Sequence, residues 1–107
     1  MSTVSAAPVA SPWSAEVLTF AIQHKVDAYL DPLLEATRNL FPTARSVQVF
    51  LEDDPEIRDE RYIVFDLRVP RADVPHFVQA QHAWIDELYR VCPAPLPCVF
   101  QFSLLMV

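Results

Sequence analysis

The segment SVQVFLEDDPEIRDERYIVFDLRVP (residues 46–70) decides the fold, because apolar and polar residues alternate at both of its ends. The alternation predicts two strands, Ser46 to Leu51 and Arg61 to Val69, joined by an acidic loop from Glu52 to Glu60. A period of two places alternate residues of each strand on the same face of a sheet. The short connection favours an antiparallel hairpin with one apolar face.

Two helical segments are predicted before this hairpin. Ser14 can cap a helix that begins at Ala15. Its predicted buried stripe, with spacings of three and four, consists of Leu18, Ile22, Val26, Tyr29 and Leu33. Asp31, a possible N-cap, and Pro32 interrupt this pattern, so the helix either kinks there or a second short helix runs from Pro32 to about Leu40.

A further helix is predicted after the hairpin, with Asp73 as its cap and Pro75 in its first turn. The stripe expected to cover the sheet consists of Phe77, Trp84, Leu88 and Val91, widened by Val78, Ile85 and Tyr89. The proline-rich linker 93–97 should be extended. It leads to a third strand, Cys98 to Met106, in which apolar residues again alternate.

This order of elements predicts an α+β two-layer sandwich: helix (possibly broken), strand, strand, helix, strand. We expect a three-stranded antiparallel sheet of order 2-1-3 with the helices on one face, as in the split crossover of ferredoxin-like folds. Residues 13–107 form a single predicted domain. Residues 1–12 are small, polar and broken by prolines, and they are predicted to be a disordered N-terminal tail.

Composition excludes several classes of function. The chain has no glycine, so it lacks the glycine-dependent loops that cradle phosphates and dinucleotides. No apolar run is long enough for a membrane helix, and the first twelve residues do not resemble a secretory signal, so a cytoplasmic location is expected. The net charge of −6 and the absence of a basic patch disfavour direct nucleic-acid binding.

The acidic loop holds −5 of the net charge of −6, since only Arg58 offsets its carboxylates. Its acidic residues are Glu52, Asp53, Asp54, Glu56, Asp59 and Glu60. They could be merely solvated, they could dock a basic partner protein, or they could bind a divalent cation. The loop lacks the glycine and the ligand spacing of a calcium loop, so a metal site is not predicted.

The remaining polar residues give no catalytic pattern. Cys92 and Cys98 lack the Cys-x-x-Cys spacing of metal sites, and a reduced state is expected over a disulfide in the cytoplasm. His24, His76 and His82 are not spaced as metal ligands and are interpreted as surface or helix-cap residues. We therefore predict no catalytic residue, no metal site and no cofactor.

Three short motifs, EDDPEI (52–57), IVFDLRVP (63–70) and Cys92-Pro93, together with Trp84, resemble a pattern in short, uncharacterised bacterial proteins of similar length. The resemblance covers about residues 40 to 107 and brings no assigned activity. Small bacterial proteins of this kind are often encoded as gene pairs, so the resemblance favours a protein partner.

Two functions from different classes are compatible with these residues. The first is a non-enzymatic protein–protein interaction module, either a homodimer or the partner of a basic protein in an antitoxin-like or accessory role. It would use the acidic loop, the strand edges and the uncovered sheet face. The apolar residues predicted on that face are Tyr62, Val64, Phe50, Val99 and Leu105. The alternative is a small metal-dependent enzyme acting on nucleotides or phosphate esters, with the loop and Asp66 as ligands.

Overall fold

The computed structural model describes residues 13–95 and 99–107, and their order of elements confirms the predicted α+β class. The helices are α1 (Ala15–Gln23), α2 (Leu30–Leu40) and α3 (Phe77–Val91), and the strands are β1 (Ser46–Asp53), β2 (Arg61–Val69) and β3 (Phe100–Met106). Short 3-10 turns lie at Asp27–Tyr29 and Arg71–Asp73. The predicted tail, residues 1–12, and the linker residues 96–98 lie outside the described residues.

The sheet has the order β1-β2-β3, with β1 antiparallel to β2 and β2 parallel to β3. The predicted order 2-1-3 and the fully antiparallel sheet are therefore wrong. The physical reason lies in β2, where the consecutive residues Ile63, Val64 and Phe65 are all buried. A strand that is buried on both faces belongs in the centre of a sheet, whereas β1 carries Gln48 and Glu52 and tolerates an edge.

One face of the sheet forms the core together with the helices. Val49, Phe65 and Phe102 lie side by side across the three strands on this core face. The core cluster also includes Val17 from α1 and Leu33 from α2. The predicted alternation of faces within each strand is confirmed by this register, and the predicted placement of the helices on one face agrees with the composition of the cluster.

Helix α1 ends earlier than predicted, in a Schellman motif closed by Lys25. The amide of Val26 donates to the carbonyl of Ala21 (2.9 Å), and the amide of Lys25 donates to that of Ile22 (3.1 Å). Lys25 has a φ of 61°, the left-handed conformation usually taken by glycine. Because the helix ends here, Val26 and the residues after it do not continue the face of α1 that carries Leu18 and Ile22. The buried face of α1 consists of Val17, Phe20 and Ala21, while Leu18 and Ile22, predicted to be buried, are exposed.

Replacing Lys25 by glycine is expected to stabilise the fold by roughly 0.5 to 1 kcal/mol. The left-handed conformation costs a residue with a Cβ atom about 1 to 2 kcal/mol, and the greater freedom of glycine in the unfolded chain offsets part of that gain. Urea denaturation measures the change, with Lys25→Ala as the control because alanine keeps the Cβ atom. Equal stability of the glycine and alanine variants would contradict the prediction.

The break between the first two helices lies at residues 24–26 and not at Asp31-Pro32. Helix α2 begins at Leu30, so the predicted second helix exists but starts two residues earlier, with Pro32 in its first turn. Asp31 does not cap the helix: its Oδ1 accepts a hydrogen bond from Nε1 of Trp13 at 2.8 Å. The helix ends at Leu40, before Pro42, as predicted.

Helix α3 begins at Phe77 with His76 at the N-cap, so the prediction that Asp73 caps it is wrong. Val74, before Pro75, has a non-helical conformation (φ −129°, ψ 70°), which agrees with the restriction that proline places on the preceding residue and prevents the helix from starting earlier. Trp84 and Leu88 are buried as predicted. The predicted widening of the buried stripe is wrong, because Val78, Ile85 and Tyr89 are 60%, 41% and 59% exposed.

Candidate interaction surfaces

The acidic loop is organised around Asp54. Its Oδ1 accepts hydrogen bonds from the amides of Glu56 (2.7 Å) and Ile57 (2.8 Å), and its Oδ2 accepts one from the hydroxyl of Tyr62 at 2.6 Å. The amide of Asp54 also donates to the carbonyl of Glu60 at 2.8 Å. Asp54 and Tyr62, both predicted contact residues, therefore hold the loop in shape through an Asx turn and a link to β2.

These bonds shift the pKa values of both side chains. The Tyr62 hydroxyl and then the amides of Glu56 and Ile57 lower the pKa of the Asp54 carboxyl, because they stabilise its charged form. The hydrogen bond to Asp54 raises the pKa of Tyr62 to about 12, since ionisation of the phenol would remove that bond. The pair is consequently an anionic carboxylate and a neutral phenol over the ordinary range of pH.

Tyr62→Phe is expected to raise the pKa of Asp54 toward 3.8, and Asp54→Asn to lower that of Tyr62 toward 10.0. A lowered carboxyl pKa contributes stability that is present above the unfolded pKa and is lost as pH falls through the folded one. A raised phenol pKa contributes stability that is complete below pH 10.0 and is lost as pH rises toward about 12. NMR titration of the carboxyl and ultraviolet titration of the phenol measure these pKa values, and unchanged values in the variants would refute the coupling.

Two ion pairs engage other residues of the loop region. Arg61 donates to Asp53 Oδ1 through Nε at 3.0 Å and to Glu16 Oε1 through Nη2 at 2.9 Å, which ties the start of β2 to α1. The hydrogen bond from Arg61 to Glu16 is the main cause of the raised pKa of Arg61. The remaining predicted contact residues of the loop are exposed to solvent: Glu52, Glu56, Asp59 and Glu60.

The carboxylates of the loop do not converge with Asp66. Asp54 turns toward its own loop and Asp53 toward Arg61, whereas Asp66 lies in the middle of β2, in register with Gln48 and Ser103. Across residues 13–95 and 99–107, no group of three or more His, Cys, Asp or Glu side chains could hold a metal ion. The ligand set that the enzymatic alternative requires is therefore not assembled by these residues.

The histidines and the described cysteine occupy structural positions. His24 is the C-cap of α1 and packs on the ring of Phe20, with centroids 4.1 Å apart, and His76 is the N-cap of α3. His76 makes no side-chain capping hydrogen bond, and His82 is exposed on α3. The three positions agree with the predicted surface or cap locations. Cys92 is a buried free thiol whose pKa is raised by burial, which disfavours the reactive thiolate. Cys98 lies outside the described residues.

On the reverse face of the sheet, turned away from the helices, only part of the predicted apolar set is accessible. Val64 is only 3% exposed and Tyr62 is half-buried, so neither offers a large contact surface. Phe50 and Leu105, on the two flanking strands, are 38% and 47% exposed. The accessible apolar area of this face therefore belongs to β1 and β3 rather than to β2.

A groove of about 390 Å³ separates α3 from the edge strand β3. We call it the β3–α3 groove. No charged side chain lines it; its walls are formed by Gln81, Trp84, Ile85, Leu88, Tyr89, Phe100, Gln101 and Phe102. The outer edge of β3 pairs with no other strand of the described chain. The groove and the edge together form an uncharged, open side of the molecule.

The sequence interpretation missed this groove because it assigned Ile85 and Tyr89 to the core. A signal was present, since the apolar arc of α3 from Phe77 to Val91 is wider than one contact with a sheet requires. One side of α3 faces α2, where Arg90 and Val91 line a pocket with Ala36. The excess apolar residues lie on the other side, above β3.

Comparison with known proteins does not assign this chain to a family. No family model, curated protein or solved structure matches it. None of the helices in residues 13–95 and 99–107 combines the length and the apolar character needed to cross a membrane.

Proposed function

We propose that this chain is a non-enzymatic protein–protein interaction module that works as a homodimer or as the partner of a basic protein, in an antitoxin-like or accessory role. The observation that supports it most is the β3–α3 groove, which is uncharged, is lined mainly by apolar side chains, and is continuous with a strand edge that is unpaired within the described residues. Natural proteins usually protect strand edges with charges, prolines or covering segments, and large exposed apolar patches commonly mark interaction sites.

The acidic loop supports the form with a basic partner. Glu52, Glu56, Asp59 and Glu60 are exposed, and no ion pair within the described residues engages them. A concentrated anionic loop accelerates encounter with a cationic surface and confers a salt dependence on binding. Asp54 and Asp53 are better left intact in a test, because they hold the loop and Arg61 in place.

Self-association and apolar exposure test the module as a whole. Light scattering over a range of micromolar concentrations, combined with binding of a dye specific for exposed apolar surface, should show a dimer or a dye-binding monomer. Either result is expected if the open side of the molecule is a contact surface. A monomer that binds no dye at any concentration would contradict the proposed function.

The basic-partner form has a separate test with a lysine-rich peptide as the probe. Glu52→Lys, Glu56→Lys and Glu60→Lys together should weaken peptide binding and flatten its salt dependence, because they reverse the charge of the exposed part of the loop. The matched control reverses three exposed acids elsewhere, Asp27, Glu35 and Asp73. Equal losses in both triple variants would show that only net charge matters and would end this form.

A further inference from the structure

We infer that the β3–α3 side binds a second copy of this chain, with β3 pairing antiparallel to β3 of the other copy across a two-fold axis. The two three-stranded sheets would join into one sheet of six strands. This inference rests on the proposed function and specifies its partner. Three independent features of the open side, namely its strand edge, its helix stripe and its charge, support a second copy as the occupant.

The two edges of the sheet differ in protection. β1 carries Glu52 and Asp53 at its end, and a pocket between α1 and β1 is lined by Glu16 and Arg61. These charged side chains disfavour pairing of this edge with another strand. The segment of β3, residues 99–107, has no charged side chain and no proline. An edge of this kind is a template for strand pairing, and pairing with itself brings no like charges together.

The strand edge alone is too narrow for a stable dimer. Seven paired residues form a strip only about 23 Å long and one strand wide. The area of such a strip is smaller than the area of about 800 Å² that a specific interface buries on each partner. Ile85 and Tyr89 of α3 are exposed and line the groove on the same side, and the exposed Val78 lies on the same helix stripe by its spacing of seven from Ile85. This stripe supplies the missing area. In an antiparallel arrangement the two α3 helices lie side by side above the joined sheet, and each closes the groove of the other.

The charge distribution is compatible with this symmetry. The acidic loop precedes β2, and because β2 is parallel to β3, the loop lies beside the N-terminal end of β3. Antiparallel pairing places this end next to the C-terminal end of the other β3, so the two anionic loops occupy opposite ends of the dimer. A basic partner would find no charge to recognise in the groove, which favours a second copy over such a partner at this site.

Ser103 provides the decisive test, because it is the middle residue of β3 and faces its own counterpart when all seven residues pair. Ser103→Glu and Ser103→Lys should each raise the dimer dissociation constant at least tenfold, and an equal mixture of the two should restore the dimer. The matched control is Gln48→Glu, which lies in register with Asp66 and Ser103 on the opposite edge and places the same charge beside Asp66.

Ile85→Ala with Tyr89→Ala tests the helix contact, with Ile22→Ala, which is also exposed, as control. The double variant should weaken the dimer at least tenfold while its circular dichroism stays unchanged. Sedimentation measures both series, and hydrogen exchange should show that the outward-facing amides of β3, which do not bond to β2, are protected only in the dimer. A dimer insensitive to residues 85, 89 and 103 overturns the inference but not the proposed function. A dye-binding monomer, or a monomer whose outward-facing β3 amides are protected, also overturns it.

Discussion

Replacing Trp84 by alanine is expected to destabilise the fold by about 3 to 5 kcal/mol, the usual cost of deleting a large buried aromatic side chain. Trp84 is 1% exposed and connects three elements to α3. Its ring stacks on Phe102 of β3 at 4.7 Å, lies 5.8 Å from the ring of Phe65 of β2, and donates a hydrogen bond to Thr37 of α2. The deletion therefore leaves a cavity where the helices meet the sheet.

Urea denaturation followed by circular dichroism measures this loss. Tyr89→Ala is the matched control, because it removes an aromatic ring from the same helix at a site that is 59% exposed, and its effect on the stability of the monomer should stay within about 0.5 kcal/mol. Both variants need several protein concentrations, since association adds a concentration-dependent contribution to stability. Similar losses in the two variants would contradict the assignment of Trp84 to the centre of the core.

Thr37→Val is expected to cost about 1 to 3 kcal/mol, although the two side chains have nearly the same shape. Thr37 is completely buried; its Oγ1 accepts from Nε1 of Trp84 at 2.8 Å and donates to the carbonyl of Leu33 at 2.7 Å. Valine removes the acceptor and leaves the indole N–H without its partner in the core. The loss arises from this unsatisfied donor rather than from a cavity.

A double-mutant cycle with Trp84→Phe separates this cause from simple repacking. Phenylalanine has no N–H to satisfy, so Thr37→Val should cost less in that background, with a coupling energy of about 1 kcal/mol. Thr19→Val, at an exposed position of α1, is the control and should change stability little. Equal costs of Thr37→Val with and without the indole would refute the role of the hydrogen bond.

The strands were predictable because alternation is a local signal. The predicted β2, Arg61 to Val69, coincides with the observed strand, and β1 extends only from Leu51 to Asp53 beyond its prediction. The order of strands was not predictable by the same rule, because pairing depends on how many faces of a strand are buried. The run Ile63-Val64-Phe65 carried that information, since three successive buried residues require cover on both faces.

The helices show a second limit of periodicity. The predicted stripe extends from Leu18 to Leu33 as one continuous helical pattern, and no glycine marks an end within it. The structure stops α1 with Lys25 in a left-handed conformation, which composition alone does not announce. For the interaction surfaces, the acidic residues of the loop were evident from sequence. The internal bonds of Asp54 and the groove beside β3 depend on three-dimensional packing.

The central position of β2 sets an order for folding. Its pairing with β1 closes a loop of only residues 54–60, whereas its pairing with β3 must first span residues 70–99, including all of α3. Contacts between residues near in sequence form at a lower entropic cost and earlier than distant ones. We therefore expect the hairpin to form before the parallel pair. Until β3 docks, the backbone groups on that side of β2 have no strand partner.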